Sequence, residues 1–196
     1  MVAERSAKSV EIINHTRQLL TAGGYKSFSY ADLAERVNIR KASIHHYFPG
    51  KADLVLTVVQ DYRAEARAGM AATSQHFNDD ALGELQGYIN YWATCIRDNT
   101  SPFCICVMLA VELPTLPEEI AAEVSGHFND LTQWLTSVLD KGVKRGVFAL
   151  EDNIDHEART IMATVHGAMI TARALNQPEM FVKITQAMLN KLINKS

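Results

Sequence analysis

No stretch of the chain is apolar for long enough to span a bilayer. The longest unbroken run, Phe103 to Val111, is nine residues and ends at Glu112, against the roughly 20 that a spanning helix needs. The first ten residues, MVAERSAKSV, hold no apolar core of the kind a secretory leader requires, so none is expected. Cysteine is scarce and odd in number: Cys95, Cys104 and Cys106. That speaks against a disulfide framework and for reduced thiols in a cytoplasmic protein. Sustained apolar–polar alternation is absent, so strands are not expected. There is no Gly-rich phosphate loop, no His-Glu-x-x-His pair and no Gly-x-Ser-x-Gly elbow. No helical spacing pairs a cysteine with a histidine on one face. An enzyme is therefore not expected. Glu118-Glu119 and Glu151-Asp152 fall at helix starts, where carboxylates complement the helix dipole, and they read as caps rather than catalysts. Beyond Cys95, no further ligand lies at ordinary spacing from Cys104 and Cys106, so no metal and no other cofactor is expected.

What is present is a globular composition, 47% hydrophobic and 21% charged, over 196 residues. The formal charge of −3 hides an asymmetry. Residues 1–51 carry eight basic side chains against four acidic ones, leaving −7 on the rest. A basic first quarter on an acidic body suits an end that meets a polyanion.

Periodicity gives an all-α chain of about nine helices. The first is expected over 7–22, with Val10, Ile12, Ile13, Leu19 and Leu20 inward and Gly23-Gly24 as its stop. Ser29 and Asp32 form a capping-box start for a short helix facing inward through Leu33 and Val37. Asn38-Ile39-Arg40 separates it from another short helix, Lys41 to Tyr47, whose apolar pair is Ile44 and Phe48. Longer helices follow from Lys51 into the 70s and over 81–97. Pro102 opens the next, and Thr115–Glu118 starts a long helix reaching 145 as a second capping box. The last two cover 154–175 and 178–192. The division is expected near residue 50, with a helix-turn-helix domain at 1–50 and a larger helical domain at 51–196.

Ser29 to Tyr47 has helix-turn-helix proportions. With Ile44 and Phe48 inward, Arg40, Lys41, Ser43, His46 and Tyr47 lie off the buried face or at the helix start, where phosphates and base edges are met. His45 adds a ring donor, and Lys51 follows the Pro49-Gly50 turn. Pattern and charge alone leave a plain helical hairpin with a solvated face as the other reading.

The string FSYADLAERVNIRKASIHHYFPGK, residues 28–51, closely resembles the DNA-binding segment of TetR/AcrR-family transcriptional regulators. Ile12-Ile13, Leu19-Leu20 and Gly24-Tyr25 agree with it, and the resemblance extends over about residues 8–56. Beyond that, only the number and lengths of the helices agree. Asn38 stands where the family usually has Gly, and still tolerates left-handed backbone. Arg40 stands where Ser or Thr usually caps the recognition helix, and an Arg there reaches phosphate or guanine instead. His45 stands where Tyr is common, which would make that phosphate contact pH-dependent.

The resemblance implies a sequence-specific DNA-binding regulator, a repressor as in most of the family, released by a small-molecule ligand. Ser29 and Tyr30 would touch phosphates. Arg40, Lys41, Ala42 and Ser43 would face bases, and His45, His46, Tyr47 and Lys51 would clamp the backbone. Lys51 would then contribute a salt-dependent contact blind to sequence. The partners expected are a palindromic double-stranded operator, a second copy of the chain and an effector, with no membrane. One helix-turn-helix covers too few base pairs, and two read a palindrome. For the dimer two readings stand: a four-helix bundle of the helices 117–145 and 154–175 with their symmetry mates, or a small-residue face on 154–175 that packs inside one chain.

The effector site is expected among Tyr62, Tyr88, Tyr91, Trp92, Phe103, Met108, Met162, His166 and Met169. These surfaces are aromatic and thioether with few polar handles, which suits an uncharged or weakly charged, partly aromatic ligand. The alternative is a thiol-based sensor of electrophiles or oxidants at Cys104 and Cys106, set against plain packing of those cysteines.

Overall fold

The computed structural model describes residues 5–100 and 103–193. Among them are nine α-helices and no β-strand, apart from a single antiparallel bridge between Phe148 and Ile193. None of these helices is long and apolar enough to cross a membrane. The described residues fall into two compact units. One holds those up to Ala64 with Cys104–His127; the other holds Glu65–Phe103 with those from Phe128 onward.

The first unit begins with α1 (Ala7–Gly23), whose Ser6 side chain accepts from the Ser9 N–H at 3.2 Å. Ile12, Ile13, Leu19 and Leu20 are buried as the pattern predicts, but Val10 is 42% exposed. It lies on the flank of the Ile13–Leu20 stripe, about 60–80° further round the helix, where α1 turns to solvent. A 3-10 turn at Tyr25–Ser27 leads to α2 (Tyr30–Val37). Its capping box forms as expected, with the Ser29 N–H donating to Asp32 Oδ2 at 2.7 Å. Asn38 takes the left-handed conformation that ends α2 (φ 53°, ψ 49°), and the Ile39 N–H returns to the Ala34 carbonyl. The helix α3 (Lys41–Tyr47) follows, with Ile44 and Phe48 buried beneath it.

The start of α4 (Lys51–Phe77) closes this core through Leu54, Val55, Val58 and Val59, none of which is exposed. Here too belongs α6 (Ile105–Glu112), which packs on α1. Pro102, expected to open α6, lies outside the described residues. The helix starts at Ile105 with Cys104 at its N-cap position.

The second unit contains α5 (Ala81–Arg97), capped by Asp80, which accepts from the Gly83 N–H at 2.9 Å. It also holds most of α7 (Glu118–Lys144), and α8 (Ile154–Leu175) packed on α9 (Glu179–Leu192). Thr115 does not cap α7. It sits in the 3-10 turn Leu113–Thr115 and its hydroxyl donates to the Glu112 carbonyl at 3.0 Å, three residues before α7 begins. Gly146 ends the α7 segment at φ 71°, and Asn153 caps α8 by accepting from the His156 N–H at 3.0 Å. Leu85, Leu135, Leu139, Ile161, Val165 and Phe181 form the core here.

Candidate nucleic-acid interface

The turn that closes α3 is held by three side chains aimed at three successive carbonyls or their neighbours. The Tyr30 hydroxyl donates to the Gly50 carbonyl at 2.6 Å and lies 3.1 Å from that of Phe48. His45 Nδ1 lies 2.9 Å from the Pro49 carbonyl, and its ring meets Tyr30 edge-on at 4.9 Å. Asp53 accepts the Gly50 N–H at 2.8 Å, seating the start of α4. Burial, with the Asp53 charge adding to it, pushes the Tyr30 phenol well above its usual range.

These contacts sort the ten expected DNA-facing residues. Arg40, Lys41, Ala42, His45, His46 and Tyr47 are exposed, and Ser43 is half-buried. Arg40 occupies the N-cap position with extended backbone and makes no side-chain cap bond, so its guanidinium is not holding the helix. Ser29 is exposed, but its hydroxyl serves α2: it accepts from the Ala31 N–H at 3.2 Å and donates to Asp32 at 2.8 Å.

Tyr30 and Lys51 depart from expectation. Tyr30 is only 5% exposed, and its hydroxyl is spent on two carbonyls, so it braces the turn rather than reaching a phosphate. Lys51 turns inward. Its ammonium donates to the Phe28 carbonyl and lies over the rings of Phe28 (4.1 Å) and Tyr25 (4.7 Å). Desolvation draws its pKa below the usual lysine value. In this position Lys51 ties the start of α4 to the α1–α2 connection.

Glu112 is the residue that sequence reasoning missed. Its carboxylate, at the end of α6, accepts the Tyr25 N–H and, at 3.2 Å, the Lys26 N–H. Gly24 makes room for it. Its φ is +80°, and a Cβ there would lie 2.4 Å from Glu112 Oε2. No local signal marks this contact, because the partners are 87 residues apart.

The nine expected effector residues are divided between the two units. Tyr62 and Met108 belong to the first unit and the others to the second. Tyr91 is 58% exposed, which removes it from any enclosed site. Trp92, Phe103, His166 and Met169 are buried. In the second unit, Tyr88 meets Trp134 edge-on at 5.5 Å, His166 meets Phe128 at 5.3 Å, and Met162 Sδ lies 3.6 Å from the Thr132 hydroxyl. A groove of about 640 Å³ lies elsewhere, between α8 and α9, with Ile161, Ile184 and Met188 among its lining and Glu151, Asp152 and Lys191 at its edge. None of the nine lines it.

The same unit holds a part-buried polar chain centred on the buried Glu84. Trp134 Nε1 donates to the Ser74 hydroxyl at 2.9 Å, Ser74 donates to Glu84 at 2.7 Å, and Lys141 pairs with the other Glu84 oxygen. All three cysteines are buried. Cys104 Sγ lies 3.8 Å from His127 Nε2, and the Cys106 thiol, hydrogen-bonded to Cys104 and desolvated, is pushed well above the usual thiol range. A reactive thiol needs access and a lowered pKa. Cys106 has neither.

A family model described as bacterial regulatory proteins of the tetR family matches residues 12–58, and one described as tetracyclin repressor-like, C-terminal domain, matches residues 81–188. The solved structure of a TetR-family transcriptional regulator from Agrobacterium tumefaciens is 46% identical. It covers 96% of this chain and 98% of its own, with a TM-score of 0.93. A TetR transcriptional regulator from Legionella pneumophila is 24% identical over 99% of this chain and 100% of its own, at a TM-score of 0.84. The biofilm operon icaADBC HTH-type negative transcriptional regulator IcaR of Staphylococcus aureus is 24% identical over 67% of each chain.

Proposed function

The chain belongs to the tetR family of bacterial regulatory proteins, and on that premise we propose that it is a homodimeric, cytoplasmic repressor that a small effector releases from a palindromic operator. It is a DNA-binding transcriptional regulator and not an enzyme. Residues 1–50 dock on DNA, and residues 51–196 bind effector and pair the two copies. Arg40 and Lys41 face bases, assisted by Ala42 and Ser43, while His45, His46 and Tyr47 meet the backbone.

The observation that carries release is Glu112. A helix from the larger region, α6, is part of the same compact unit as the helix-turn-helix and holds its α1–α2 connection through two N–H groups. An effector that displaces α6 therefore changes the head directly, as an allosteric ligand must do through differential contact. The effector is uncharged or weakly charged and partly aromatic. Support comes from the contacts of Tyr88, Met162 and His166 with Trp134, Thr132 and Phe128 in the second unit, and from Glu84 being neutralised by Lys141.

Pairing through α8 is favoured over α7. From Thr160 to Ala172, α8 carries no charged side chain, and its outward positions Ala163, Ile170 and Ala174 are small or apolar. No atom lies within 4 Å of where a Gly167 Cβ would stand, so a second backbone can approach closely there. The exposed positions of α7 include Asn129, Gln133 and Ser137, which suit water.

Release is tested by challenging the protein–DNA complex with non-reactive aromatic compounds and with thiol-reactive ones, in wild type and in Cys104→Ser/Cys106→Ser. The expected result is release by a non-reactive compound, equal in both proteins. Release by thiol reagents alone, lost in the double variant, would establish the thiol-sensing reading instead.

A further inference from the structure

His45 has one ring nitrogen committed and one free to work. The Pro49 carbonyl 2.9 Å from Nδ1 can only accept, so Nδ1 carries a proton whether the ring is neutral or charged. The ring orientation is fixed as well. Its edge meets Tyr30 at 4.9 Å, and Tyr30 is itself tied to the carbonyls of Phe48 and Gly50. The variable proton is therefore the one on Nε2. On a neutral ring Nε2 presents a bare lone pair, which repels a phosphate oxygen. On the imidazolium it presents a charged N–H, which donates to one.

We propose that His45 engages the DNA backbone only as the imidazolium, so that each head takes up a proton on docking and operator affinity falls as the medium turns alkaline. The proposal rests on the reading of α3 as the DNA-facing helix. The charged and titratable groups around His45 are Lys41 one turn earlier and His46 beside it on α3, Tyr30 from α2, and Asp53 and Lys51 from the start of α4. Tyr30 is held protonated by burial, Asp53 is engaged by the Gly50 N–H, and Lys51 points to Phe28. Of these side-chain types only histidine ordinarily changes charge between pH 6 and 8, so His46 is the one competing source and serves as the control.

The sign follows from linkage. DNA raises the pKa of His45, so the added affinity is fully present below the free-state value and is lost as pH rises through the bound-state value. A one-unit rise corresponds to about tenfold in affinity per head, about a hundredfold for two. Each proton taken up also adds a phosphate contact, which steepens the dependence of log K on log salt by about one unit per head at pH 6 relative to pH 8.

The experiment uses a duplex that the full-length wild type selects from a random pool at pH 6. Fluorescence anisotropy at constant ionic strength then follows affinity from pH 6 to 8 for wild type, His45→Gln and His46→Gln. Wild type and His46→Gln are expected to weaken by about tenfold or more between pH 6 and 8, while His45→Gln stays flat near the wild-type value at pH 8. NMR of the wild-type histidine rings adds a measurement that needs no variant: the His45 pKa rises when the duplex is added. A selected duplex bound with the same affinity at every pH, or an undiminished response in His45→Gln, overturns the proton linkage alone. A wild type that selects no duplex at all overturns the DNA-binding reading beneath it.

Discussion

Replacing Arg40 and Lys41 together by alanine should cost the dimer about 4 kcal/mol or more of operator affinity, roughly a thousandfold, and relax its choice of sequence. Both side chains are exposed, and Arg40 makes no cap bond from the N-cap position of α3. Neither contributes to the core under the helix, which is Ile44 and Phe48. Each good contact to a base edge is worth about 1–3 kcal/mol of discrimination, and two heads present each residue twice. The melting temperature is expected to stay within a degree or two, since surface changes of this kind move stability little. Anisotropy on specific and scrambled duplexes, with thermal melts alongside, separates the effects. Unchanged discrimination would remove α3 as the base-reading element.

The largest loss of stability is expected from Lys141→Ala. Glu84 has no exposed surface, and its carboxylate is shared between the Lys141 ammonium and the Ser74 hydroxyl. Removing Lys141 leaves the charge buried with one neutral donor, at a cost of about 3 kcal/mol. For a chain of this size that lowers the melting temperature by about 6–12 °C. Replacing both partners, Glu84→Gln with Lys141→Met, should cost distinctly less than the single change, because no unpaired charge is left behind. Equal losses in the single and double variants, read by calorimetry, would mean that the pair is not coupled.

The sequence legible without a structure was the part written in neighbouring residues. The Ser29–Asp32 capping box, the left-handed Asn38 and the inward Ile44–Phe48 pair are contacts within a turn or two, so local pattern suffices. The same local reasoning failed at Thr115, where a capping pattern was present but the hydroxyl turned back to the Glu112 carbonyl. It failed again where a side chain finds its partner across the fold. Tyr30 and Lys51 resemble phosphate ligands until carbonyls 20 and 23 residues away claim them. The Glu112 contact to the Tyr25 N–H had no signature at all, because a carboxylate 87 residues distant leaves no periodicity. Aromatic and thioether residues at helical spacing look alike whether they line a site or fill a core. Tyr91 is exposed and Met169 buried, a difference that the spacing does not encode.

The central claim is that two copies of this chain read one palindrome through α3. It is tested by selecting duplexes from genomic fragments at physiological salt and weighing the retained complex by sedimentation, in wild type and in Ile170→Glu, whose charge falls on the uncharged outward face of α8. The account predicts a single palindromic site with two wild-type chains per duplex. Specific binding is typically about 10³-fold or more tighter than binding to scrambled DNA, and Ile170→Glu should sediment as a monomer that has lost most of that preference. Retention of DNA without sequence preference, or one chain per duplex at full specificity, would contradict it.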